Sequence, residues 1–184
     1  MKRIIVSVLA VLMLVPAMMA DNHEMKAFVD KLMSKMTVKE KIGQLNLVVA
    51  GDITTGKAAD SGGGGEIAAG SVGGVFNIKG VDGIRALQEV AVKKSRLGIP
   101  LLVGMDVIHG YETIFPIPLA QSCSWDMEAI EKGARIAAKE ASADGINWTF
   151  SPMVDICVDA RWGRVAEGGG EDPFLGSRIA ESMG

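Results

Sequence analysis

Apolar runs that alternate with amphipathic helical stretches predict an α/β fold built on a parallel sheet. Two further observations narrow the fold class. The runs recur at a spacing that places four strands in residues 21–184, and polar residues follow their carboxyl ends. Near-continuous apolar strands joined by helices are buried on both faces, as parallel strands require. Four such units make the N-terminal half of an eight-stranded (β/α)8 barrel, whose active-site groups sit just past the strand ends.

The elements follow in order. Met1-Lys2-Arg3 is a short positive segment, Ile4 to Val15 is an apolar run of 12 residues, and Pro16 breaks it before Ala17-Met18-Met19-Ala20. This pattern predicts an export signal over residues 1–20. As a helix the run would span about 18 Å, short of a bilayer core of about 30 Å. A helix is predicted over about 24–36, and Thr37-Val38-Lys39-Glu40 has the form of a capping box that starts a second, short helix with Ile42 and Leu45 inward. Leu47 to Ala50 predicts a buried strand. Residues 51–71, with the run Gly62 to Gly65, predict a flexible surface loop, because no strand–GxGxxG–helix or P-loop pattern surrounds the glycines. Val72 to Asn77 predicts a strand and Asp82 to Leu97 a helix with Ile84, Leu87 and Ala91 near one face. After Gly98-Ile99-Pro100, Leu101 to Asp106 predicts a strand. Asp126 to Asp144 predicts a long helix whose stripe is Met127, Ile130, Ala134, Ala137 and Ala141, with Gly145 as its stop. Ile146 to Met153 predicts another strand, and a last helix begins near Asp172 to Leu175. The pattern is still helical at the end of the chain, which predicts a barrel interrupted halfway.

Composition excludes several partners. The formal charge is −3, and loss of Lys2 and Arg3 with the leader would take it to −5. A mildly acidic chain without a basic cluster is unsuited to nucleic acid or to an anionic membrane. After the leader no apolar stretch approaches membrane-spanning length, which predicts a periplasmic or secreted protein. Cys123 and Cys157, the only cysteines, sit among apolar or small residues and are expected as buried free thiols. With His23 and His109 as the only histidines, no closely spaced set of metal ligands exists.

Three places put polar residues past a strand: Asp106; the segment Asp155 to Arg164; and Glu167, which leads through Gly168 to Asp172. Asp106 can either bind a ligand or cap the next turn. Arg161 and Arg164 flank Trp162-Gly163. A guanidinium fork recognises carboxylates or paired hydroxyls, and for Arg161 a buried ion pair with a carboxylate of the same loop is expected: Asp155, Asp159 or Glu167. His109 is expected as a hydrogen-bonded structural residue.

Five segments together carry a resemblance: M-T-V-K-E-K-I-G-Q-L (36–45), G-I-P-L-L-V-G-M-D-V-I-H-G (98–110), T-I-F-P-I-P-L (113–119), S-P-M-V-D-I (151–156) and D-A-R-W-G-R-V-A-E-G-G-G-E-D-P (159–173). In order and spacing they resemble the amino-terminal barrel domain of family 3 glycoside hydrolases, nearest the bacterial periplasmic β-glucosidase branch. The resemblance implies a (β/α)8 barrel acting on β-linked glucosides or oligosaccharides, with no metal or nucleotide cofactor. By position it makes Asp106 a ligand of sugar hydroxyls in the subsite for the non-reducing-end residue. Arg164 becomes a second ligand of that sugar, and Glu167 a carboxylate that supports the arginine. Ala160 stands where the family usually has Pro.

The family's Lys-His pair, aspartate nucleophile and acid/base carboxylate match nothing in these residues. The resemblance implies that they lie after Gly184, with the second half of the barrel and a following domain. No catalytic residue is therefore assigned within the chain. The implied activity is that of an exo-acting retaining β-glucosidase. A β-xylosidase or other exo-β-glycosidase of the same family is the alternative, as is a non-catalytic sugar-binding product. The hexosaminidase branch fits less well, since its corresponding strand ends in D-Q-E-G-G where this chain has M-D-V-I-H-G.

Overall fold

A computed structural model of the chain describes residues 23–49 and 64–184. The predicted leader and most of the glycine-containing loop lie outside these residues. Two compact units are present, Met1–Ile42 and Gly43–Gly184. In the first, helix α1 covers residues 23–35, and α2 (Val38–Gly43) begins at the predicted capping box. The Glu40 carboxylate accepts from the Thr37 N–H and hydroxyl, both at 2.8 Å, and the Glu40 N–H donates to the Thr37 hydroxyl at 3.2 Å. Orphan donors at the helix start are thus satisfied reciprocally. Ile42 and Leu45 are exposed rather than inward. The helix stops at Gly43 and Leu45 stands in the turn beyond it, so the two do not share a helical face.

The second unit is a four-stranded sheet: β1 (Leu47–Val49), β2 (Gly74–Phe76), β3 (Leu102–Met105) and β4 (Trp148–Thr149), paired in that order and all parallel. Sequential parallel strands separated by helices are the repeat of a β/α barrel. Register explains the packing. Val48, Val75 and Val103 lie side by side and are all buried, Val75 completely. They form one core with Ile84 and Ala91 of α4 (Val81–Lys94) and Ala137 and Ala141 of α6 (Met127–Asp144). The opposite face carries Leu47, Gly74 and Leu102 in one row and Phe76, Gly104 and Trp148 in the next. There Trp148 and Phe76 each pack against Phe150, with ring centroids 4.7 and 5.4 Å apart. Gly104 is required by this stack, because a Cβ there would stand 3.1 Å from the Phe150 ring.

The helix boundaries have local causes. The Ser95 hydroxyl donates to the Ala91 carbonyl and accepts from the Gly98 N–H, ending α4 three residues before the predicted Leu97. Gln88 binds both backbone groups of Leu101, at 2.9 and 2.8 Å, and so fixes α4 to the start of β3. Asp126 caps α6 through the Ala129 N–H, and Gly145, at φ 98°, closes it. Its stripe is Ile130, Gly133, Ala137 and Ala141, with Gly133 rather than Ala134 at the centre.

Three elements differ from the sequence prediction. Gly64–Ala68 forms a short helix, α3, anchored by fully buried Ile67, inside the stretch predicted as loop. Pro118–Ser124 forms α5, started by Pro118 in the first turn. Strand β4 holds only two of the eight predicted residues. Past Thr149 the Ser151 hydroxyl turns to the Val107 carbonyl at 2.7 Å, and Pro152 has no N–H to extend a ladder. The last helix, α7 (Pro173–Met183), begins where expected and is capped by Asp172. Among the described residues no helix is long and apolar enough to cross a membrane.

Candidate functional site

Asp106 immediately follows β3 and is exposed, because the buried run Val103–Met105 of the strand ends just before it. The chain then folds back on itself from Val107 to Ile117. The Phe115 N–H donates to the His109 carbonyl at 2.8 Å, and His109 Nδ1 donates to the Phe115 carbonyl at 2.9 Å. A carbonyl only accepts, so Nδ1 carries the proton, and in the neutral ring Nε2 is left as an acceptor. His109 is thus the hydrogen-bonded structural residue that the sequence predicts. Between the paired residues Gly110 bridges Ile114, at φ 119°.

The second contributor is the loop after β4. Buried Cys157 pins it by donating its N–H to the Gly170 carbonyl at 3.0 Å. Turns at Asp159, Trp162 and Arg164 lead into a 3-10 helix, Val165–Glu167. Arg161 pairs with Asp159, one of the three predicted carboxylates, through Nε and Nη2. That pair is largely exposed rather than buried, because both residues stand on the outer turn of the loop, and it shapes the loop locally. Arg164 points elsewhere: its Nε donates to Glu167 Oε1 at 3.0 Å and its Nη2 to Oε2 at 2.7 Å, with the Met153 sulfur 3.3 Å from Nη2. This fork holds the Glu167 carboxyl below its ordinary range. Glu167 in turn raises the arginine, to which Asp155 and Asp106 add smaller contributions of the same sign. The Nε–Nη2 edge of the guanidinium is committed to Glu167, leaving Nη1 for another acceptor.

Asp106 and Glu167 line one cleft of about 240 Å³. Ile108, Ile114, Ile117 and Pro118 supply its apolar walls. The three residues singled out from sequence therefore share one neighbourhood, two on the cleft wall and Arg164 bound to Glu167. The isoleucines and Pro118 went unrecognised as walls, although the T-I-F-P-I-P-L run that contains three of them was visible. A second cavity, of about 210 Å³, is walled by Gly133, Ala137, Ala141 and Ile146. His109 is its one titratable lining residue among those described, so it offers no carboxylate or guanidinium to a polar ligand. Cys123 is exposed on α5, against expectation, since its helix buries Pro118 and Ser122 on another face; Cys157 is buried, and both are free thiols. Among the described residues no group of three His, Cys, Asp or Glu side chains could hold a metal ion.

A parallel β/α sheet with carboxylates and a forked guanidinium gathered past its strand ends is the barrel class, with a polar, partly apolar-walled cleft in the usual place for its ligands. The sequence profile of the glycosyl hydrolase family 3 N-terminal domain matches residues 37–184, and the chain belongs to that family. Among curated proteins it is 44% identical over 157 residues to the periplasmic beta-glucosidase of Salmonella typhimurium, covering 85% of this chain and 20% of that protein. It is 30% identical to the lysosomal beta glucosidase of Dictyostelium discoideum, over 83% of this chain and 21% of that one. The beta-glucosidase of Listeria innocua in complex with isofagomine superposes with a TM-score of 0.73 at 42% identity, covering 85% of this chain and 22% of that one. The chain thus spans about a fifth of the length of the relatives it matches.

Proposed function

We propose that this chain supplies the sugar-gripping part of an exo-acting retaining β-glucosidase that releases terminal β-D-glucosyl residues. The observation that carries it is the shared cleft: Asp106 and Glu167 both line it, with Arg164 oriented by its fork to Glu167. A carboxylate can accept from two adjacent hydroxyls of a pyranose, and a guanidinium edge can donate to a third oxygen. Charged hydrogen bonds of this kind contribute about 1.5–3 kcal/mol each. The aliphatic walls suit the C–H faces of the ring. A cleft of about 240 Å³ is smaller than the roughly 300–1,000 Å³ of sites for drug-sized ligands, consistent with one small ring.

In this proposal Asp106 and Arg164 hold the terminal glucose so that its anomeric carbon faces a nucleophile. Their binding energy is converted into orientation. Retaining hydrolysis needs a carboxylate nucleophile and a separate acid/base, and both are assigned to residues after Gly184. Residues 1–20 serve as an export signal and the enzyme works in the periplasm, a placement supported by the name of the Salmonella relative. A β-xylosidase activity is the second reading, favoured by 37% identity over 52% of the chain to a beta-xylosidase of Formosa agariphila.

The test exchanges residues 37–184 for the matching segment of the Salmonella enzyme and compares aryl β-glucoside and β-xyloside hydrolysis. Asp106→Ala in that chimera is expected to lower kcat/KM for the preferred substrate about 100-fold or more, as loss of two charged hydrogen bonds implies. A change below about threefold in an active chimera rejects the role of Asp106. A preference for the xyloside selects the second activity.

A further inference from the structure

We propose that Glu140, on α6 and outside the sugar cleft, is a positioning residue for the cleft wall; this rests on the sugar-site reading above. Its carboxylate accepts three hydrogen bonds from the tip of the folded-back loop. Oε2 takes the Glu112 N–H at 3.0 Å and the Thr113 N–H at 2.8 Å, and Oε1 takes the Thr113 hydroxyl at 2.6 Å. Backbone amides that converge on one carboxylate are fixed in direction as well as distance, because a bent N–H···O bond weakens steeply. Hydrogen bonds from Thr113 are the main cause that holds the Glu140 carboxyl below its ordinary range, so the anion is the form that holds the loop.

A second clamp closes on the same tip from α6 and from the connection before α4. The Tyr111 hydroxyl donates to Asp144, one turn after Glu140 on α6. Lys79, from the β2–α4 connection, lies 4.5 Å from the centre of the Tyr111 ring and pairs with Glu112. Asp144 also receives the Gly80 N–H at 2.9 Å, tying that connection to α6. Residues 111–113 are therefore held between α6 and the start of α4.

The consequence lies on the other side of the loop. Ile114 follows the clamped Thr113 directly and is 68% exposed on the cleft wall, with Ile117 three residues on at 43%. Neither is held there by burial. Their placement comes from the backbone: the Gly110–Ile114 bridge, the double His109–Phe115 pairing and the Glu140 anchor. Release of Glu112 and Thr113 would leave the apolar lining that shares the cleft with Asp106 and Glu167 free to shift, with no loss of a sugar-contacting group.

The experiment uses the 184-residue chain with D-glucose as probe, and follows amide exchange at Glu112 and Thr113, the Ile114 and Ile117 methyl signals, and glucose affinity. Glu140→Ala is expected to speed exchange at both amides at least tenfold and to weaken glucose at least fivefold. Glu140→Gln, which keeps an acceptor, should fall between it and the parent. Thr113→Val, which deletes one of the three bonds, should show a smaller change of the same sign and serves where Glu140→Ala does not fold. Glu131→Gln, on the exposed side of the same helix, should change nothing. Faster exchange with glucose affinity kept within twofold overturns the inference and leaves the sugar-site reading standing. Unchanged exchange in Glu140→Ala overturns the clamp itself. Absence of glucose binding by the parent chain, matched by Asp106→Ala, identifies failure of the sugar-site reading, and the inference falls with it.

Discussion

Arg164 and Glu167 meet through two parallel hydrogen bonds across a single turn of 3-10 helix, Nε to Oε1 at 3.0 Å and Nη2 to Oε2 at 2.7 Å. A three-residue spacing brings the two groups to one side of so short a helix. Planarity of both groups then fixes the direction of the remaining guanidinium edge. The pair is half exposed, so it adds little to stability and acts mainly through geometry.

Breaking the fork should affect sugar binding and leave the fold intact. Arg164→Lys keeps the charge but cannot form two parallel bonds. It is expected to weaken glucose about tenfold or more, with Tm shifted by less than about 2 °C. Glu167→Gln retains one acceptor oxygen and should weaken glucose less than Arg164→Lys. Calorimetric titration beside thermal melting separates the two effects, and a large fall in Tm without loss of affinity would reverse the assignment.

The Tyr111–Asp144 bond should shape stability at both ends of the pH range. The Tyr111 hydroxyl, then the Gly80 N–H, hold the Asp144 carboxyl below its ordinary value. Its contribution is present above the unfolded value of about 4 and is lost as pH falls below that. Burial first, and then Asp144, push the Tyr111 phenol up. Its contribution is present below the unfolded value of about 10 and is lost as pH rises past it. Tyr111→Phe should flatten both limbs and Asp144→Asn mainly the acid one, as followed by urea unfolding between pH 2.5 and 11.

Gly110 should resist substitution. Its φ of 119° is disfavoured for any L side chain, and a Cβ there would stand 2.0 Å from the Thr113 carbonyl oxygen. Gly110→Ala is expected to cost about 2 kcal/mol or more, seen as a fall in Tm with faster amide exchange over residues 109–115. Gly163 has nothing near its Cβ position and no positive φ, so Gly163→Ala should be close to neutral.

Those contrasts mark what sequence could and could not disclose. The parallel sheet of four strands was legible because Val48, Val75 and Val103 sit in apolar runs, the later ones separated by amphipathic helices. The cap at Thr37 was legible because capping is local chemistry, and the starts of α6 and α7 were legible near Asp126 and Asp172, which the structure shows to be their caps. Asp106, Arg164 and Glu167 lie among the polar groups past strand ends, and the family resemblance picked them out from the rest. Helix α3 was hidden, since Gly64 and Gly65 argue against a helix and only burial of Ile67 pays for it. The Glu140 anchor was hidden for a different reason. Its partners lie 27 and 28 positions away in the chain, and no spacing rule links a helix carboxylate to a distant loop.

The helix caps offer an internal control. Asp126→Ala and Asp172→Ala each remove a carboxylate that accepts a first-turn N–H, at 3.0 and 2.7 Å. Each is expected to destabilise the chain by about 1 kcal/mol while glucose affinity stays within twofold. A parallel loss of affinity would mean that sugar binding follows global stability rather than the cleft.

The central claim is that Asp106 and Arg164 hold the same sugar ring, and a crystal of this chain soaked in D-glucose tests it most directly. The account predicts one pyranose in the cleft beside Glu167, with hydroxyls within hydrogen-bond distance of both the Asp106 carboxylate and the Arg164 guanidinium. Glucose bound elsewhere, or touching one of the two while the other faces solvent, would contradict it.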